Sequence, residues 1–461
     1  MKRFVSVILL LAAAAGLWLA GRLNSPLVEL RRKYRLDQAD PLQNSPPLVA
    51  FTTVALGGFR GVLADLLWIR ASKLQEQGKY FELVQLADWI TKLEPRFTQV
   101  WAFHAWNMAY NISVLFNDPE DRWRWVRHGI SLLRDEGLKY NAGDAQLCRE
   151  LGWLFQHKIG GYYDQAHRYY KEQWAREMMA LFDGPRPDYD ALMAAPTNSP
   201  EYATARKLID VYQLDPRLMK QEDDEYGPLD WRLPQAHAIY WALQAKRYAS
   251  GFEAIAADRM IFQSLAQAFR EGRLFLDSAE NAFIPSPNLD ILPRVLKAFN
   301  QALAEFPDQD SIKAAHQHFL EEAIIILYTY HRIDEAKALF DVLARRYPSA
   351  ETAVGFDAAI TKAFGSAVKN LTARDALAMV EGTEYQSLFW HALGDEGRAK
   401  GYHQLGRVYW QQYMAPRMEK SVREREGLPP IEDIRARART RLLEELKSPE
   451  ARKRLEQAPK P

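Results

Sequence analysis

The residues of this sequence best equipped for chemistry are scattered. Ten histidines are spread along the chain, and His104 and His157 lie in helical patterns with neither a second His nor a carboxylate at i+4. That spacing is what places two ligands on one helix face, so packed or exposed histidines are the expectation. Asp224, Glu225 and Asp230 stand near Trp231 and Arg232 in a stretch rich in Pro and Gly. Paired carboxylates beside aromatic rings are what glycoside hydrolysis requires, yet an acidic loop is more often a solvated turn. Gly57-Gly58-Phe59-Arg60-Gly61 lacks the Lys-Ser/Thr that would reach phosphate and magnesium, and it reads as a flexible lead into a helix near Val62. Gly-x-Ser-x-Gly, His-Glu-x-x-His and Asp-rich calcium loops are missing from the sequence. The single cysteine, Cys148, can form neither an internal disulfide nor a CxxC site; in the helical pattern Leu147–Leu151 a buried, inert thiol is expected. No catalytic residue, cofactor or metal is therefore expected, and the protein is read as a non-enzyme.

With 60 basic and 59 acidic residues the net charge is +1, so the balance gives no sign of the cationic excess that a nucleic-acid binder needs. Hydrophobic residues at 48% suffice for a sizeable core. The 13 Trp within an aromatic content of 12% serve either as fillers between helices or as sticky groove walls.

The elements that must position any site are helices. From Val54 onward apolar residues recur at three and four positions, and strand-like alternation is almost absent. Before them, Lys2 and Arg3 precede an apolar run from Phe4 to Ala20, the pattern of a signal peptide or uncleaved signal anchor over residues 1–22. The reading favours an anchor in the inner membrane with the body outside the cytoplasm, or secretion after cleavage; the basic cluster Arg31, Arg32, Lys33, Arg35 pulls against that orientation. Residues 23–52 form a spacer, with Asp37–Pro47 polar and ending in Pro46-Pro47. An N-terminal helical array is predicted over 53–181, and linker loops with a middle helical segment over 182–287. The breaks there are Phe182–Pro200, Gln221–Pro234 and Ile284–Asn288. A C-terminal array follows over 288–414. Residues 415–461 form a charged tail with apolar Ile431, Ile434, Leu442, Leu443 and Leu446, read as a solvent-exposed amphipathic helix or a flexible arm.

Within Phe319–Pro348 the order Ala336, Phe340, Leu343, Pro348 follows a first helix that ends near Tyr330. This resembles the second helix and terminator of a tetratricopeptide repeat, in which a small residue admits the partner helix, an aromatic four residues later fills the same face and a proline ends the pair. Related orders occur as Phe299, Ala302, Pro307 and as Ala87, Ile90, Pro95 followed by Trp101. Another runs through Leu151-Gly152, Phe155, Ala166 and Tyr170. The segment Asn117–Trp125 reads as an insertion, and the spacing exceeds a strict 34-residue period. The resemblance implies an all-α, irregular α-solenoid of antiparallel helix pairs. In such repeats the first helix of each pair lines a concave groove. Carried onto this sequence, the groove candidates are Trp68 and Gln75, then Trp106 and Tyr110, then Arg149, Trp153 and Gln156. The implied function is a protein-interaction scaffold of the bacterial cell envelope, holding a partner protein or peptide. The alternative is a glycan-binding or glycan-processing helical protein whose rings serve as sugar platforms.

Overall fold

The computed structural model describes residues 59–277, 282–330, 332–365, 371–415 and 427–457, with isolated positions before them. The predicted anchor and spacer lie almost wholly outside these. No helix among the described residues is long and apolar enough to cross a membrane. The described residues are all-helical except for one short hairpin of strands. The protein divides into two compact units, Met1–His104 and Ala105–Pro461, a division that falls inside the segment 53–181.

In the first unit, α1 (Phe59–Glu76) and α2 (Tyr80–Leu93) form a helical hairpin. Gly78 (φ +69°) makes the turn: its N–H donates to the Gln75 carbonyl at 3.0 Å, and the Lys79 N–H to that of Leu74 at 2.9 Å. This pair of bonds is the Schellman ending, in which a left-handed residue closes the open carbonyls of the last turn. Ala64, Ala71, Leu74, Leu83, Ala87 and Ile90 are buried, the small residues letting the helices approach. Trp101, on α3 (Thr98–Trp106), is 2% exposed and donates its indole N–H to the Pro95 carbonyl at 2.9 Å.

The second unit holds α4 (Pro119–Ser131), α5 (Ala145–Trp153) and α6 (His167–Met179). They are followed by α7 (Tyr189–Ala194), α8 (Pro200–Tyr212), α9 (Pro216–Tyr226), α10 (Pro234–Tyr248) and α11 (Phe252–Glu271). The middle stretch thus holds five helices where linker loops and a helical segment were expected, with loop at 180–188 and 195–199. Its prolines Pro200, Pro216 and Pro234 sit at the first helical turns, where a missing N–H costs nothing, and Asp188, Ser199 and Asp215 cap α7, α8 and α9. Helix α10 is buried nearly all round and packs on both α5 and α11. At the contact with α5, a side chain on Gly152 would run into the Met260 sulfur and come within 3.2 Å of the Ala238 carbonyl oxygen. The break expected at Ile284–Asn288 is largely strand: β1 (Arg273–Asp277) pairs antiparallel with β2 (Ala282–Ser286).

The acidic run is likewise helical, ending α9. Glu222 is 1% exposed, and neither carboxylate oxygen has a hydrogen-bond partner among the described residues. Burial, then the charge of Asp223, pushes its carboxyl well above the ordinary value. Because the folded state holds this proton more tightly than the unfolded state does, stability falls as pH rises from the ordinary value of 4.5 toward the raised one, by about 1.4 kcal/mol per pH unit. Urea melts of Glu222→Gln should lose that component of the pH dependence, leaving the variant the more stable of the two at pH 8.

The remaining helices are α12 (Leu292–Glu305), α13 (Asp310–Thr329), α14 (Ile333–Arg346), α15 (Ala350–Ala353) and α16 (Phe356–Gly365). Then come α17 (Ala373–Ala392), α18 (Glu396–Met414), α19 (Ile431–Glu445) and α20 (Pro449–Gln457). Ala336, Phe340 and Leu343 are buried where α13 and α14 pack. The charged tail is not a flexible arm: Ile434, Leu442, Leu446 and Leu455 are buried, and α19 and α20 both pack on α17. Glu384 of α17 is fully buried, 2.5 Å from Arg435 Nη1 and 2.9 Å from His403 Nδ1. Removing one partner of such a pair strands the other's charge. Arg435→Met should therefore cost roughly 3–5 kcal/mol in a denaturant melt, and adding Glu384→Gln should recover much of the loss.

Candidate functional site

Helices α3, α4 and α5 each run on through a π-helical segment, Asn107–Ile112, Leu132–Gly137 and Leu154–Ile159. A π-turn inserts one residue into the helical ladder and swings the side chains after it onto a new face, a device that recurs at functional sites. Here two of the three segments supply Tyr110, His157 and Lys158 to a pocket of about 350 Å³ within the second unit. It is lined by Tyr110, Val114, Arg122, His157, Lys158, Tyr163, Asp164 and Gln165.

Lys158 is the floor's cation. It shares its segment with buried Leu154, Phe155 and Ile159, and its side chain is 3% exposed. Its Nζ donates to Asp164 Oδ2 at 2.5 Å. The same carboxylate accepts from Arg122 Nη1 at 3.1 Å, from the Ala166 N–H at 2.8 Å and from the Tyr170 hydroxyl at 3.2 Å. Burial alone would raise the Asp164 carboxyl, but the hydrogen bonds from Lys158 and Ala166, with the charges of Lys158 and Arg122, hold it below the ordinary range. Burial lowers Lys158, and Asp164 opposes that shift. Arg122 reaches the site from the segment read as an insertion, fixed by a bond from its Nε to the Phe116 carbonyl at 2.6 Å.

Above this floor stands a ladder of rings. Trp106 stacks on Tyr110 (centroids 5.6 Å apart, planes at 26°), and His157 lies between Trp153 (4.6 Å, 11°) and Tyr163 (4.6 Å, 13°). The Tyr110 oxygen is 3.1 Å from His157 Nδ1. Burial, then the charge of Glu150, keeps the Tyr110 phenol protonated, and burial together with Lys158 lowers His157 toward its neutral form. Tyr163 is 84% exposed and Trp106 38%, so the ladder opens to solvent at both ends.

The loop that carries Tyr163 is pinned on its other side too. Glu271 accepts from Gln267 Nε2 at 2.8 Å, from Gln235 Nε2 at 3.2 Å and from the Tyr162 hydroxyl, and lies 3.6 Å from Lys171 Nζ. Gln267 also donates to the Gly160 carbonyl at 2.6 Å.

Of the residues singled out in the sequence, Trp106, Tyr110 and Trp153 come together in this ladder. Arg149 and Gln156 are turned toward α11, Arg149 through Glu253 (2.8 Å) and Gln156 through the Met260 carbonyl (3.1 Å) and Ser264 (2.8 Å). Trp68 belongs to the first unit, half-buried against Phe103 and Phe97, with half-buried Gln75 near the end of the same helix. The sequence reading missed Arg122, Lys158, Tyr163 and Asp164, and took His157 for an ordinary histidine. As for the carboxylates near Trp231, Asp224 and Glu225 are exposed on α9, while Asp230 is locked by Arg232 through two bonds of 2.8 and 2.7 Å and accepts the Leu274 N–H. No three His, Cys, Asp or Glu among the described residues converge as metal ligands do.

Compared with protein-family models and with curated proteins, the sequence matches none.

Asp164→Asn removes the charge that Lys158 faces and strands a buried ammonium. A loss of about 3 kcal/mol in a denaturant melt is expected, with faster amide exchange across Gly160–Ala166 than elsewhere.

Proposed function

We infer that the protein is a non-catalytic helical scaffold of the bacterial cell envelope, similar in plan to tetratricopeptide repeats, that holds a partner protein or peptide. The observation that carries this reading is the ring ladder Trp106–Tyr110–His157–Tyr163 with Trp153: large, rigid aromatic surfaces open to solvent, braced from beneath by buried ion pairs. Aromatic residues on an immobilised support are what concentrate binding energy at interfaces. The potentially reactive groups are engaged with one another: Lys158 with Asp164, and His157 between two rings and a phenol. The hairpin α13–α14, with Ala336 and Phe340 at its seam and Pro348 after it, supports the repeat-like plan. The basic start and apolar run of the first 22 residues support the envelope location.

A second reading, a glycan platform, is favoured by the open face of Tyr163. Two experiments separate them. A photo-crosslinking residue at position 106 of the full-length protein should trap one partner protein in envelope membranes, while the same residue at exposed position 124, on α4, should not. The double variant Trp106→Ala with Trp153→Ala should lose at least ten-fold in partner affinity with its helical circular dichroism intact. Retention on envelope polysaccharide, with no trapped protein, would replace the scaffold with the glycan reading.

A further inference from the structure

The charges at the floor of the pocket do not balance. Arg122 and Lys158 bring two cations, with side chains 12% and 3% exposed, against the single carboxylate of Asp164. His157 contributes no charge, since burial and Lys158 favour its neutral form. The neighbouring pair Lys171–Glu271 is balanced within itself. Glu150, the other carboxylate that acts on Tyr110, is engaged by Arg149 at 2.9 Å and does not line the pocket. A net charge of one held out of water is costly unless something compensates it. Among the described residues Lys158 donates to Asp164 alone, and the ring centroids of Tyr110 and Tyr170 lie 5.1 and 5.8 Å from its Nζ. An ammonium has three N–H groups, so it retains donors for a further acceptor.

We propose that this pocket binds the carboxylate of a ligand, with Arg122 and Lys158 as the anion-binding residues and the Tyr110, His157 and Tyr163 rings as walls for the planar or apolar group that carries it. This rests on, and deepens, the scaffold reading: the carboxylate is that of an acidic residue or of the free carboxyl terminus in the partner. Two features favour a carboxylate over a phosphate. One surplus positive charge matches a monoanion. A volume of about 350 Å³ lies at the small end of ligand pockets, which run to roughly 300–1,000 Å³, and three of its lining residues carry flat rings.

The test uses purified full-length protein with benzoate as probe, followed by calorimetry and by Trp fluorescence. Benzoate should bind saturably and at least ten-fold more tightly than benzamide, its neutral counterpart, or inorganic phosphate. Arg122→Gln, which brings the cluster to neutrality while leaving Asp164 paired with Lys158, should weaken benzoate at least ten-fold, and Arg122→Lys should retain most of it. Equal affinity for benzoate and benzamide overturns the anion site, and this comparison needs no variant, so it stands even if Arg122→Gln does not fold. Tighter binding of phosphate overturns the carboxylate assignment. Folded Arg122→Gln with unchanged benzoate affinity overturns the role of Arg122. To separate the sources, an acetylated tripeptide ending in a free carboxylate is compared with its amidated form and with one bearing an internal Glu. Preference for the free terminus assigns the site to polypeptide ends; equal binding of the internal Glu assigns it to acidic residues; binding of neither overturns the peptide source. Benzoate binding lost while the position-106 crosslink persists sinks this proposal alone. Benzoate binding kept without any partner crosslink sinks the scaffold reading alone.

Discussion

The contact between Lys158 and Asp164 is the constraint on which the candidate site depends. A buried ion pair is a weak source of stability, because desolvating both charges cancels most of their attraction. Its use here is geometric. Lys158 closes the last turn of a helix and Asp164 lies in the loop that leaves it, so their bond ties the path of Gly160–Ala166 back to the helix. The position of Tyr163 follows from that path: it lies over His157, whose ring also stacks on Trp153 and meets the phenol of Tyr110. The second staple, through Glu271 and Gln267, holds the same loop from α11. A surface built to present rings without moving needs restraints of this kind, since an exposed aromatic on a loose loop would lose much of its binding energy in becoming ordered.

How much of this was legible in the sequence depended on the kind of signal. Helical content was, because apolar spacing such as Ala336–Phe340–Leu343 survives any error of register. In the middle stretch the loops 180–188 and 195–199 fall where a break was read, but proline was taken only as punctuation between elements. Pro200, Pro216 and Pro234 instead stand at the first turns of α8, α9 and α10, preceded in two cases by capping Ser199 and Asp215. A proline with a capping residue before it marks where a helix begins. The same misreading turned the last turn of α9 into an acidic loop. In the tail the stripe with Ile434, Leu442 and Leu446 was legible, but charge density pointed to a solvent-exposed helix or a flexible arm where the structure packs that stripe on α17.

The site was legible in part. Trp106, Tyr110 and Trp153 could be picked out as large rings on helices, but their common neighbourhood could not. Lys158 did carry a signal: it interrupts the apolar stripe Leu151, Leu154, Phe155, Ile159, a place where a cation needs a partner, and Asp164 stands six residues on. Arg122 was out of reach, because it lies 42 residues from the carboxylate it contacts. The π-turns were equally hidden. Each adds a residue to the helical count, so a repeat sought at constant spacing loses its phase at Asn107, Leu132 and Leu154, and the first and last of these segments reach the pocket.

The packing of α19 and α20 on α17 has a consequence for how the protein is made. A polypeptide emerging from the ribosome exposes Leu388, Trp390 and the Glu384 carboxylate long before Ile434, Arg435 and Leu442 have been synthesised. This face of α17 stays open until α19 and α20 have been made, and a product released before Ile431 would present an open apolar face with an acid lacking its arginine, the kind of surface that quality-control proteases and chaperones recognise.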